Sequence, residues 1–222
     1  MTPCERDHDL VLPMNLRTAY FEDLEVVARL LCEGFWDDPG FCWAFPKESF
    51  KKRWLERVMR SAAEIALGNA QVVLAEEDDS QIVGMACWYY PTAPFPPPWQ
   101  QALGATMRLL PLLLYPPTYS RYQRLSRQMM SLHPAGLRCW RLSGLVVRAE
   151  QRGKGLGSRL VEDGVRWAAE EQVPVFLQTW GHLLPFYERH GFSVVSQFSL
   201  PGVPGACYGM VYDPAANAAD RS

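Results

Sequence analysis

The sequence has almost no net charge, no long apolar run and no spaced set of metal ligands, and each absence excludes a class of function. Across 222 residues, 22 lysines and arginines stand against 24 aspartates and glutamates, a formal charge of −2. So even a balance gives no general field to draw in a phosphate backbone, and nucleic-acid binding is not expected. The longest apolar stretches, such as residues 109–115, fall far short of the roughly 20 residues that span a bilayer. No membrane role is expected. The first ten residues, MTPCERDHDL, are polar and mixed in charge and hold no secretory signal, so a cytoplasmic protein is expected.

The six cysteines (Cys4, Cys32, Cys42, Cys87, Cys139 and Cys207) are scattered, with no CxxC pair and no His at ligand spacing. They read as reduced, mostly buried small apolar residues. The four histidines are equally dispersed and form no HExxH pair. No metal is expected.

An apolar fraction of 48% with 12% aromatics is enough for a buried core. The length suits one generous domain over 1–222. Residues 14–20 read as a short strand. A helix follows over 21–35, with Leu24, Val27, Leu30 or Leu31, and Phe35 at helical spacing. It should stop at the WDDPG run, where Pro39 disfavours helix at Asp38 and Gly40 breaks it again. A second helix is expected over 47–67, with Trp54, Val58, Ala62 and Ile65 inward and Lys51, Lys52, Arg57 and Arg60 in solvent. Two strand-like runs, 70–77 and 81–90, joined by Asp78, Asp79 and Ser80, predict a hairpin.

The composition then changes. Residues 91–99 hold five prolines, which makes them an extended, stiff connector. An insert over about 99–132 reads as two short helices interrupted at Pro111 and Pro116-Pro117, and no ranking emerges among lid, dimer surface and ordinary packing. A strand over 139–147 leads through RAEQRGKG into a helix over about 155–171. A buried strand VPVFLQTW, a short helix ending at Gly191, and strands over 192–199 and 206–212 complete the order. The tail 213–222 lacks apolar content and should fray. Strands and helices mixed in this order predict a single α/β or α+β sheet domain.

The chemistry-bearing segment is LVVRAEQRGKGLGSRL, residues 145–160. An apolar strand enters a loop with Gly153, Gly155 and Gly157, which opens directly onto a helix. Successive glycines let backbone N–H groups converge, and the first helical turn adds unpaired donors, so the loop can seat a phosphate. Arg152 and Lys154 add charge at the same place. A Walker loop, GxxxxGK(S/T), fails because position 148 is Arg148 and Gly155 follows Lys154. The dinucleotide pattern GxGxxG fails at Leu160. An arginine-x-x-glycine-x-glycine loop is matched in full by Arg152, Gly155 and Gly157. Taken alone, such a loop is a tight turn more often than a ligand site.

With this loop and the downstream FYERHGF run (186–192), residues 139–191 resemble the acetyl-CoA-binding core of the GCN5-related N-acetyltransferases. Within that family the run is similar to puromycin N-acetyltransferase and related small-molecule acetylating enzymes. The front segment NLRTAYFEDLEVVARLLCEGFWDDP looks like the family's first strand and helix. The resemblance implies a twisted, mixed, mostly antiparallel sheet of about six or seven strands flanked by helices, with the helical insert between strands three and four. It implies that the strand carrying Leu145, Val146 and Val147 splays from its neighbour and pairs with the pantetheine arm of acetyl-CoA. Backbone N–H groups over Arg152, Gly153, Lys154, Gly155, Leu156, Gly157 and Ser158 would hold the pyrophosphate. Tyr187 would give a proton to the leaving thiolate, although a half-buried packing role is the alternative. The implied reaction is direct attack of a neutral amine on the thioester in a ternary complex.

The sequence departs from the family in three places. Ala149 stands where Pro is frequent, and TWGHLL offers Trp180 and His182 where an Asn often bonds the cofactor. The strand CWRLSGLVV has no carboxylate to act as base. Asp37, Asp38, Glu33 and His133 are the candidates, and an amine of low pKa would need none. The aromatic run Phe35, Trp36, Phe41, Trp43 and Phe45 is packing by default, or a wall for a hydrophobic or aromatic acceptor. The expected partner is thus a small-molecule amine, with the oligomeric state open, a homodimer included. A protein or peptide acceptor, or a catalytically silent acyl-CoA sensor, are the alternatives.

Overall fold

The computed structural model describes residues 15–77, 80–92 and 116–219. In chain order these form β1 (Asn15–Thr18), α1 (Leu24–Gly34), α2 (Pro39–Ala44), α3 (Glu48–Asn69), β2 (Ala70–Glu76) and β3 (Ile82–Tyr89). There follow α4 (Pro116–Ser131), β4 (Trp140–Val147), α5 (Leu156–Glu171), β5 (Val175–Trp180), α6 (Leu184–Glu188), β6 (Ser193–Phe198), β7 (Cys207–Tyr212) and α7 (Pro214–Ala219). The strands make one seven-stranded sheet in the order β1-β2-β3-β4-β5-β7-β6. Only β4 and β5 run parallel; every other pair is antiparallel.

The residues of β3 show why this is a three-layer α/β fold. Ile82, Met85, Cys87 and Tyr89 face one core with α1, α2, α3 and α4, whereas Val83, Ala86 and Trp88 face a second core with α5 and α6. Alternation from Met85 to Tyr89, with every residue of β3 buried, is the mark of a central strand covered on both sides; the phase breaks at Val83, which has no partner in β2 because Ala75 opposes Gly84 and Glu76 opposes Ile82. On α1 the spacing of Leu24, Val27, Leu30 and Leu31 buries one stripe. No described helix is long and apolar enough to cross a membrane.

Several elements differ from the sequence expectations. Pro39 starts a helix instead of only ending one: the Asp38 carboxylate accepts from the Phe41 N–H at 2.9 Å, so Asp38 caps α2 and Pro39 fills its first turn. In the same way Pro116 opens α4; the expected break at Pro111 and the connector beyond residue 92 lie outside the described residues. So do residues 78 and 79 of the hairpin turn. Lys51, expected in solvent, is buried: its ammonium donates to the Trp36 carbonyl at 2.9 Å and lies 4.3 Å from the Trp36 ring centroid. The buried face of α3 is Leu55, Val58, Met59, Ala63 and Ala66. Residues 214–219 of the tail form α7, which Asp213 caps by accepting from the Ala215 N–H at 2.9 Å, and residues 220–222 lie outside the described residues.

The insert helix α4 packs on the link between α2 and α3. Tyr122 and Leu125 are buried, and the Tyr122 ring stacks on Phe45 of the α2–α3 link with centroids 6.0 Å apart.

Candidate active site

The local chemistry of β4 opens a gap in the sheet. Along its β3 edge, Cys87 opposes Gly144 but Trp88 opposes Leu142, so Ser143 is one extra residue in β4. Such a bulge bends the strand that carries it. On the other edge β4 pairs with β5 only from Trp140/Val175 to Leu142/Leu177. Pairing stops at the residue before the bulge, and the two strands diverge toward Val147 and Trp180. Meanwhile β5 stays paired with β7 to its end at Trp180 and Cys207.

The three predicted strand residues divide between the two faces. Val146 is buried toward α1, while Leu145 and Val147 pack on the α5 and α6 side. Gly34 at the end of α1 allows this approach, because a Cβ there would lie 2.5 Å from a Val146 methyl. Beside the end of β4 lies a cleft of about 640 Å³ lined by Gly34, Val146, Val147, Arg148 and Arg152, among others.

The glycine loop continues directly from β4. Ala149–Gln151 form a 3₁₀ turn, so Ala149 needs no proline to make it. Gly153 and Gly155 then take φ of 78° and 81°, in the left-handed region that other L-residues rarely adopt. Gly155 caps α5, and its carbonyl accepts from the Arg159 N–H at 3.1 Å. The N–H groups of Leu156, Gly157 and Ser158 therefore precede the first intrahelical bond and stand at the positive end of the helix. The Leu156 side chain is core, so that residue can contribute to a site only through its main chain.

Arg152 and Lys154 are exposed and tied at the base. Arg152 Nε donates to the Val147 carbonyl at 3.1 Å, and Lys154 Nζ donates to Gln151 Oε1 at 2.9 Å. Gln151 in turn donates to Glu77 at the end of β2, which anchors the loop to the hairpin.

Tyr187 lies on the same side of the sheet. It is buried, with its ring edge-on to Phe186 at 4.9 Å and to Phe192 at 5.8 Å. A Cβ on Gly157 would lie 3.5 Å from the Phe186 ring and 3.8 Å from Val147, so the start of α5, the end of β4 and α6 meet here. The Tyr187 hydroxyl forms no hydrogen bond among the described residues. Burial pushes its pKa well above the usual phenol range, so it holds its proton throughout the neutral range.

The four candidate bases separate clearly. Glu33 is exposed and lies 3.7 Å from Arg148, and Asp37 is exposed. His133 is far down the paired end of the strands: its Nε2 is 3.4 Å from Cys139 Sγ and its ring meets Phe176 edge-on at 4.7 Å. Burial lowers its pKa and raises that of Cys139 to about 11, so the pair stays neutral and cannot serve as a thiolate–imidazolium nucleophile. Asp38 is different. Its second carboxylate oxygen accepts from the Trp180 indole at 2.9 Å, which places it beside the last residue of β5. Burial raises its pKa; the donors at Phe41, Trp180 and Gly40 and the nearby His182 pull the other way without cancelling the shift.

The aromatic run is mixed in role. Phe45 is buried, Trp43 donates its indole N–H to the Pro201 carbonyl at 3.0 Å, and Phe35 meets Phe41 edge-on at 5.9 Å. His190 donates from Nδ1 to the Phe186 carbonyl at 2.9 Å and caps α6.

Sequence reasoning passed over Thr179. It is 5% exposed on β5, and its hydroxyl has no hydrogen-bond partner among the described residues. The signal was present in VFLQTW, where alternation puts a hydroxyl in the register of Val175 and Leu177.

A family model described as the acetyltransferase (GNAT) family matches residues 31–192. Among solved structures, a histone acetyltransferase HPA2 and related acetyltransferase from Corynebacterium glutamicum superposes with a TM-score of 0.63 at 18% identity, covering 90% of this chain and 96% of its own. Arylalkylamine N-acetyltransferase 2 from Aedes aegypti gives 0.64 at 15% identity, covering 91% and 99%. The PaiA N-acetyltransferase from Thermoplasma acidophilum, solved with coenzyme A, gives 0.53 at 13% identity, covering 91% and 99%. At these identities the likeness is one of fold, whereas the family match takes in the loop, the diverging strands and Tyr187 together. The chain belongs to the acetyltransferase (GNAT) family.

Proposed function

We propose that this chain transfers an acetyl group from acetyl-CoA to a primary amine of a small molecule with an apolar or aromatic body. The observation that carries the reading is the gap that opens beyond Leu142 and Leu177, with the glycine loop at one end and Tyr187 on one side. The residues present suit the cosubstrate. The diverging edge at Leu145, Val146 and Val147 offers main-chain groups to an amide-bearing arm. The N–H groups from Arg152 through Gly153, Lys154, Gly155, Leu156, Gly157 and Ser158 suit a pyrophosphate, with the exposed Arg152 and Lys154 adding charge.

Tyr187 holds its proton at neutral pH and would donate it to the thiolate as the thioester breaks. Asp38, on the opposite face and tied to Trp180, would take the proton from the incoming ammonium; its raised pKa makes it a stronger base than an ordinary carboxylate. This supplies from α2 the carboxylate that β4 lacks. The partly buried Phe35 and Phe41 beside Asp38 favour an apolar acceptor over a polar one.

The test is thiol release from acetyl-CoA across aryl, alkyl and polyamine amines and short peptides. Turnover on small apolar amines supports the reading. Preference for peptides would replace the acceptor class, and acetyl-CoA binding without turnover on any amine would make the chain a sensor.

A further inference from the structure

We propose that Lys51 is a positioning residue for Asp38, its buried ammonium holding the chain on both sides of the carboxylate; the inference rests on the reading of Asp38 as the base. Lys51 stands in the first turn of α3 and is 8% exposed. Its Nζ donates to the Trp36 carbonyl at 2.9 Å and to Cys42 Sγ at 3.6 Å, and lies 4.3 Å from the Trp36 ring centroid. Trp36 comes two residues before Asp38, and Cys42 one helical turn after it. One side chain from α3 therefore spans the segment that carries the carboxylate.

Charge pairing does not explain the ammonium. Burying one costs free energy that a carboxylate partner normally offsets. None of the ion pairs among the described residues includes Lys51. Its partners are a carbonyl, a sulfur and an indole face, all on residues 36–42. Methionine would fill the same space with no charge to desolvate. What the ammonium adds is direction, because its donors are aimed from a long helix at two fixed points of the segment.

The segment's own bonds make it one body without fixing where that body sits. The Asp38 N–H donates to the Phe35 carbonyl at 3.2 Å, and the Cys42 N–H to the Asp38 carbonyl at 2.9 Å. The Cys42 thiol donates to the Trp36 carbonyl at 3.6 Å. Two side chains from elsewhere then orient Asp38. Trp180 of β5 donates to the carboxylate at 2.9 Å, and Lys51 of α3 holds the chain on either side of it. A base must lie within hydrogen-bond reach of the proton it takes. Releasing the segment should therefore slow transfer without touching the glycine loop or β4.

The experiment measures kcat and KM with the fastest acceptor from a panel of aryl, alkyl and polyamine amines and short peptides, and acetyl-CoA affinity by calorimetric titration. The proteins are wild type, Lys51→Met, Cys42→Ala, Asp38→Asn, and each of the first two variants combined with Asp38→Asn. We expect Lys51→Met to lower kcat about ten- to hundred-fold, as displacement of a reacting group by ~1 Å or less does. Cys42→Ala, which frees one end only, should lower it about three-fold, as loss of one weak hydrogen bond would. Neither should change acetyl-CoA affinity, and neither should lower kcat further in the Asp38→Asn background. A merely structural role would not depend on Asp38 in this way. Wild-type kcat in either single variant would overturn the proposal, as would weakened acetyl-CoA binding or an equal fall in both backgrounds. Wild-type kcat in Asp38→Asn would instead overturn the reading of Asp38 as the base, and the role of Lys51 with it.

Discussion

The Trp180 indole donates a 2.9 Å hydrogen bond to the Asp38 carboxylate across 142 positions of sequence. One partner caps α2 and the other ends β5, so a single bond ties the link after α1 to the strand bordering the gap. It also leaves a partly buried carboxylate at that place, with a pKa raised by burial.

If Asp38 is the base, kcat/KM should rise with pH through a limb that reports its raised pKa, and Asp38→Asn should remove the limb. Trp180→Phe, which deletes a donor that stabilises the carboxylate, should move the limb to higher pH. The stability sign is opposite to that of a salt-bridged carboxylate. A folded-state pKa above the unfolded one means that wild type gains stability relative to Asp38→Asn as pH falls through that folded value. Asparagine has one acceptor oxygen, whereas the Phe41 N–H and the Trp180 indole bond different oxygens of Asp38, so Asp38→Asn loses one bond at every pH and the sign is read from how its Tm difference from wild type changes with pH. Thermal melts at pH 4 and pH 8 check the sign.

Tyr187→Phe keeps the ring contacts with Phe186 and Phe192 and loses only the hydroxyl. General-acid loss predicts a fall in kcat of about 10²–10⁴, with little change in acetyl-CoA affinity or Tm. Because burial raises the phenol pKa, any high-pH limb seen below pH 10 in wild type should persist in this variant. Steady-state kinetics from pH 6 to 10 measure both effects.

Gly34→Ala places a methyl against Val146 on β4, with both valine methyls and its Cβ in the way. No rotamer of Val146 relieves all three contacts, so α1 must move from β4. Overpacking of this kind costs about 1–3 kcal/mol, and a chemical denaturation midpoint would show it. Because Val146 borders the cleft, KM for acetyl-CoA should rise as well.

Gly155→Ala tests the loop without touching its charges. Forcing alanine to φ near 81° at the cap of α5 costs about 1–2 kcal/mol or turns the loop's N–H groups away. We expect a raised KM for acetyl-CoA with the KM of the amine unchanged, measured by varying each substrate in turn.

What the sequence made legible was local. The spacing of Leu24, Val27 and Leu30, the strand-like runs of the β2–β3 hairpin, and the glycines at 153 and 155 each follow from one short window of chain, and the structure agrees with them. The misses needed distant information. Nothing in CWRLSGLVV marks Ser143 as a bulge, because its extra residue exists only relative to Cys87 and Trp88. Lys51 looked like surface until Trp36 supplied a carbonyl and a ring face. Pro39 was taken as a stop although Asp38 before it made a start, an error that the Asp-Pro pair itself could have corrected. Asp38 stayed one of four carboxylate and histidine candidates because its bond to Trp180 joins residues far apart in the chain.

Amide hydrogen exchange with and without saturating acetyl-CoA tests the location of the cosubstrate most directly. Exchange should slow in residues 143–147 of β4 and in the loop and first turn over 152–158, while β1 and β2 stay unchanged. Unaltered exchange in both segments, with acetyl-CoA bound as judged by titration, would contradict the site in the gap between β4 and β5.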